Sequence, residues 1–87
     1  SKNQMFKIGP NPTADLLSLS YELNDLSSVI FEVYDINGKK IVEDYRGTQI
    51  AGLHKFNHDF SQVPDGNYTV VLKTSNHIFK EQIVIKK

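Results

Sequence analysis

From Leu17 onward the apolar side chains recur at every second position, and Gly, Pro, Asn and Asp clusters interrupt this period about every 8–12 residues. Leu17, Leu19, Tyr21 and Leu23 alternate with Ser18, Ser20 and Glu22. Val29, Phe31 and Val33 oppose Ile30, Glu32 and Tyr34, and Tyr68, Val70 and Leu72 oppose Thr69, Val71 and Lys73. His54, Phe56, His58 and Phe60 likewise oppose Lys55, Asn57 and Asp59. Successive side chains of a strand point to opposite faces, so each run is a strand with one buried face. No window of a dozen residues sustains the i, i+3, i+4 spacing of an amphipathic helix. The chain is therefore all-β.

The turn clusters divide it into about seven strands. Met5 to Ile8 is a short first run that stops at Gly9-Pro10-Asn11-Pro12, where two prolines remove backbone donors. Asn24-Asp25-Leu26-Ser27 is expected to turn the Leu17 strand back onto its neighbour. Asn37-Gly38 predicts a two-residue type I′ hairpin with positive φ at both positions, returning as Lys39 to Tyr45. Gly47 and Gly52 are expected to bracket an irregular link containing Ile50. Ser61 to Gly66 is the next turn, Ser75-Asn76 closes a second hairpin, and His77 to Lys86 is the last strand. This spacing is that of an antiparallel β-sandwich, with a small closed barrel as the alternative that periodicity leaves open.

At 87 residues the chain holds one domain, of a size at which roughly 60% of the unfolded surface becomes buried. A hydrophobic content of 39% is enough for one core. Ten basic residues balance ten acidic ones, which argues against a nucleic-acid partner. The balance is uneven along the chain: residues 21–45 are acidic, whereas Lys73, Lys80, Lys86 and Lys87 make the last stretch basic. There is no cysteine, hence no disulfide framework and no thiolate site. No apolar run is long enough for a membrane helix. The opening Ser1-Lys2-Asn3-Gln4 has neither an initiator Met nor a leader, which suggests a fragment whose export signal lies upstream.

Residues that could carry chemistry have simpler roles. His54 and His58, four apart on a strand, lie roughly 13 Å apart, too far to share a metal whose ligand bonds are about 2 Å. With His77 they are expected to be surface or half-buried imidazoles, and no metal or other cofactor is expected. Asp35, Asp44, Asp59 and Asp65 flank turns, where Asp bonds backbone N–H groups. No serine sits in a Gly-x-Ser-x-Gly elbow, and no glycine-rich loop precedes a helix. The chain is not expected to be an enzyme. Its distinctive part is the hairpin from Tyr68 to Lys87, whose last strand has an apolar centre and a basic end. Lysines protect edge strands from aggregation. They also suit a strand end for strand addition, or for docking an acidic receptor.

The ordered motifs Pro10-Asn11-Pro12-Thr13, Val33-Tyr34-Asp35-Ile36-Asn37-Gly38-Lys39, Ala51-Gly52-Leu53-His54, Asp59-Phe60-Ser61, Pro64-Asp65-Gly66-Asn67-Tyr68 and Ile83-Val84-Ile85-Lys86-Lys87 are individually common. In this order and spacing, across residues 10–87, they resemble the type A C-terminal sorting domain of the type IX secretion system of Bacteroidetes. The resemblance implies an immunoglobulin-like sandwich in residues 10–87, with residues 1–9 as the end of a linker from an upstream passenger and a first strand. It implies a secretion signal that carries the passenger across the outer membrane to the surface or medium. The partners implied are the translocon, an outer-membrane shuttle protein and a sortase-like protease that then removes the domain. Gly66, Tyr68, Ile83, Val84, Ile85, Lys86 and Lys87 match the recognition signal, and Pro10, Asn11, Pro12, Asn37 and Gly38 match structural motifs. Gly9 stands where the family favours an aromatic residue, and Asn67 where it favours an apolar one. The alternative is an immunoglobulin-like carbohydrate- or protein-binding or spacer module, with Tyr21, Tyr34 and Tyr45 as exposed aromatics.

Overall fold

Seven strands follow one another along the chain: β1 (Phe6–Gly9), β2 (Leu16–Leu23), β3 (Ser27–Tyr34), β4 (Lys40–Gln49), β5 (Gly52–Asp59), β6 (Gly66–Lys73) and β7 (Ile78–Ile85). They belong to a computed structural model, which describes residues 5–10 and 13–87. The strands pair antiparallel in two sheets, ordered β1-β2-β5 and β4-β3-β6-β7. This is the two-layer arrangement of an immunoglobulin-like sandwich, as the alternation and spacing predict; the closed barrel is not formed.

The buried face of each strand is the one its alternation specifies. Leu17, Leu19, Tyr21 and Leu23 of β2 meet Val29, Phe31 and Val33 of β3, Val70 and Leu72 of β6, and Ile83 and Ile85 of β7 in one core. Phe31 is at its centre, fully buried, edge-on to Phe56 of the opposite sheet at 5.2 Å and tilted against His58 at 5.1 Å.

Three expectations are corrected. First, β2 does not pair with β3. Residues 24–26 carry the chain from one sheet to the other, so β2 lies between β1 and β5. Alternation specifies which face a strand buries, not which strand lies beside it, and two half-buried strands can satisfy their faces by packing across the core. Second, Gly47 does not end a strand: β4 runs on to Gln49. Val29 pairs with Gly47 and Ile30 with Tyr45, so Arg46 is an extra residue in a bulge, and Gly47 takes φ +82° there. The irregular link shrinks to Ile50 and Ala51.

Third, the Asn37-Gly38 turn is not type I′. Gly38 has φ +83°, but no described non-glycine residue has positive φ. Asp35 N donates to Lys39 O at 2.9 Å and Gly38 N to Asp35 O at 3.0 Å, which closes a three-residue loop with glycine in the left-handed position. The Asp35 carboxylate also accepts the N–H groups of Asn37 and Lys39, both at 2.9 Å. These bonds hold the loop, so only one residue needs the left-handed conformation.

A sandwich has two open sides, and aromatic contacts lie at both. The Arg46 guanidinium, aimed by its bulge, lies 3.8 Å from the centre of the Phe56 ring. Across the molecule, Phe6 of β1 stacks on Phe79 of β7 at 5.1 Å, and His77 stacks on Phe79 at 5.5 Å.

Phe31→Ala is expected to cost about 3–5 kcal/mol, the range for a large aromatic removed from a packed core. Domains of this kind have about 5–15 kcal/mol in total. Urea unfolding followed by far-UV circular dichroism checks this: the midpoint falls steeply, and an unchanged midpoint would place the ring outside the cooperative core.

Candidate functional site

Most of the motifs scattered along the chain meet at one pole of the sandwich; Ala51-Gly52-Leu53-His54 lies at the other, where Gly52 pairs with Leu23. Gly66 pairs with Ile85 and Tyr68 with Ile83, so the Gly-x-Tyr step and the terminal strand are neighbours in one ladder. Asp15 O accepts the Phe60 N–H at 2.6 Å, which ties the entry segment to the end of β5. Tyr34, just before the Asn37-Gly38 loop, pairs with Thr69 of β6. Pro10 is exposed; Asn11 and Pro12 lie outside the described residues.

Tyr68 is 8% exposed, and its hydroxyl donates to Pro64 O at 2.6 Å. A tyrosine near the start of this strand that bonds backbone a few residues upstream is the tyrosine corner of immunoglobulin-like folds. The Gly66-x-Tyr68 step therefore braces the crossover from β5 to β6. Ile83 and Ile85 are each 1% exposed, whereas Val84 is 40% exposed and Lys86 and Lys87 lie on the surface beyond β7. Of the terminal motif, Val84, Lys86 and Lys87 thus lie at the surface of the folded domain, with the Lys87 ammonium turned onto the residue 61–65 turn.

Contacts that periodicity does not reveal hold this end. Thr13 forms a parallel bridge with Ile85: its N–H donates to Val84 O, and its carbonyl accepts from Lys86 N, both at 2.9 Å. Lys87 N lies 3.2 and 3.3 Å from the two carboxylate oxygens of Asp65. The Lys87 ammonium donates to Ser61 O at 3.1 Å and to Val63 O. The only earlier signal was the Pro-Asp-Gly composition of this turn, which says nothing of a distant lysine.

On the outer face of the four-stranded sheet, Glu32 is 2% exposed although its strand parity points it outward. Its carboxylate is ringed by Lys40 Nζ at 3.0 Å, Lys73 Nζ at 3.2 Å and the Tyr34 hydroxyl at 2.9 Å. Burial pushes this carboxyl up, but the hydrogen bonds from Lys40, Tyr34 and Lys73 outweigh it and hold it below the usual carboxylate range. The network borders an open groove lined by Tyr34, Thr69, Val71, Lys73 and Lys80.

The histidines pack on rings. His54 stacks on Tyr21 at 5.5 Å and its Nε2 lies 2.8 Å from Ile50 O, while His58 sits between Phe31 and Phe60 at 5.1 and 4.8 Å. Among the described residues, no three His, Asp or Glu side chains come together as a metal site. Tyr21, 1% exposed, bonds Gln49 Oε1 at 2.5 Å, and Tyr34 is half-buried with its hydroxyl bonded to Glu32, so of the three tyrosines offered for carbohydrate Tyr45, 64% exposed, is the most open.

Residues 7–86 match the family model described as "secretion system C-terminal sorting domain". The chain belongs to that family, the one its ordered motifs resemble. A domain of this class is a sorting signal for secretion or cell-surface export, not an enzyme. No curated protein matches the chain.

Two measurements check the packing at this pole. Tyr68→Phe leaves Pro64 O without its donor and is expected to lower stability by about 1 kcal/mol, read as a shift in the urea midpoint. Burial holds the His58 imidazole below its ordinary 6.5, against the pull of Asp44 and Asp59 and with the help of Arg46. The unfolded chain therefore takes up this proton first, so its contribution is complete above pH 6.5 and is lost as pH falls below that value. Backbone and side-chain bonds from Ser61 hold Asp59 below its ordinary 3.8, so a second loss follows in more acid solution. In His58→Phe the first loss should vanish and the second remain.

Proposed function

Proceeding from membership of that family, we propose that the domain takes an attached passenger across the outer membrane through the type IX translocon. There it is read by the translocon and by an outer-membrane shuttle protein, and is then removed by a sortase-like protease cutting at or before β1. The observation that carries this reading is the convergence of the entry motif, the Pro64–Tyr68 motif and the terminal motif on one pole. The entry residue Thr13, the Ser61–Gly66 turn and the strand end Ile83–Lys87 are joined there by hydrogen bonds.

In this reading the seven signal residues divide in two. Gly66, Tyr68, Ile83 and Ile85 set the shape and register of the last hairpin from inside. Val84, Lys86 and Lys87 make direct contact, offering an apolar side chain and two cations to a receptor lined with carboxylates.

Fusion of residues 1–87 to a reporter with its own inner-membrane export signal, in a bacterium that possesses the system, tests this. The fusion is expected to reach the surface or medium, and deletion of residues 83–87 to abolish that export. The deletion also removes two core side chains, so Val84→Asp and Lys86→Glu accompany it. Both positions are exposed, so they should reduce export while leaving stability within about 0.5 kcal/mol for Lys86→Glu and about 1 kcal/mol for Val84→Asp, which also loses strand propensity. Undiminished export after the deletion refutes the proposal.

A further inference from the structure

Lys86 and Lys87 lie beyond the last strand, yet they are not loose. Lys86 N donates to Thr13 O, Lys87 N donates to the Asp65 carboxylate, and the Lys87 ammonium is received by Ser61 O and Val63 O. Thr13 is itself held in place: it is 3% exposed, its Oγ1 donates to Leu16 O at 2.8 Å, and two residues on Asp15 O receives Phe60 N. Residues 13–15 thus form a strap that links the start of β2, the end of β5 and the end of β7.

This strap is separable from the core. It meets β7 through one isolated bridge of two backbone hydrogen bonds, whereas Ile83 and Ile85 keep their pairing with Tyr68 and Gly66 on the other side of the strand. The turn that receives Lys87 is mostly exposed, with Val63 alone of residues 61–65 half-buried.

We infer that Thr13 and the Ser61–Asp65 turn form a latch that holds the backbone of Lys86, and both the backbone and the ammonium of Lys87, against the folded domain. Opening the latch presents them as a free cationic end for an acidic protein surface while the sandwich stays folded. Closed, the latch commits the Lys87 ammonium to backbone carbonyls, so a receptor carboxylate must displace them to reach it. The inference rests on the reading of the strand end as the export signal.

Amide hydrogen exchange by NMR on the 87-residue chain tests the latch. Thr13→Pro deletes the donor to Val84 O and is expected to lower protection of the Lys86 amide by roughly five- to tenfold for each backbone bond lost. Asp65→Ala should loosen the Lys87 amide in the same way. In both variants Phe31 and Val70 should exchange as before. The export fusions of the same variants should pass at least as well as the parent.

Unchanged protection at Lys86 and Lys87, or a fall at Val70 and Phe31 in step with it, overturns the latch. If Thr13→Pro does not fold, Asp65→Ala decides by the same criteria. Selective release with reduced export also overturns it, because the closed end would then be what the receptor reads. Deletion of residues 83–87, run in parallel, separates the two readings: export that survives it refutes the signal itself, whatever the exchange shows.

Discussion

The contact of Phe31 with Phe56 and His58 joins the two sheets at the middle of the molecule. A domain of this size without a disulfide must hold its sheets together by side-chain packing alone, and many small sandwiches add a covalent link here. In this chain aromatic rings take that place. Phe56 is shared among Phe31, Tyr21 and the guanidinium of Arg46, so one ring links the centre of the core to its open side. The bulge at Arg46 bears on this contact: without the extra residue, strand parity would set the arginine differently against the core.

The limits of reading this fold from sequence follow from what a period of two encodes. It gave the inward faces of β2, β3, β5 and β6, because burial acts on each strand's own residues. It could not say that residues 24–26 cross between sheets, because a crossover and a hairpin turn have the same polar composition. Gly47 read as a stop because a glycine in a bulge and one in a loop look alike without the opposing strand. Glu32 was legible as outward-facing but not as buried, since its cover comes from Lys40 and Lys73 on two neighbouring strands.

The candidate site shows the same division. The terminal strand, its basic end and the Gly66-x-Tyr68 step stand in the sequence, and the family motifs single them out. Their convergence does not, because Thr13 and Ile85 are as far apart in the chain as two residues of this domain can nearly be. Only the β1-β2-β5 and β4-β3-β6-β7 topology brings the first and last strands to adjoining edges, where Phe6 meets Phe79 and Thr13 meets Ile85.

That adjacency makes the last strand serve two masters. Ile83 and Ile85 belong to the core and alternate with Val84 and Lys86 at the surface, where Lys87 follows beyond the strand. A substitution at the buried pair unsettles the fold and the presented side chains together, whereas one at the exposed positions changes only what a partner meets. A receptor that grips only the exposed set therefore depends on the buried set for register: shifting the strand by one residue would turn Val84 inward and Ile83 and Ile85 out. Tyr68 guards against that slip, since its backbone pairs with Ile83 in the ladder while its hydroxyl is fixed to the Pro64 carbonyl. The corner that braces the fold is thereby also what aims the strand end.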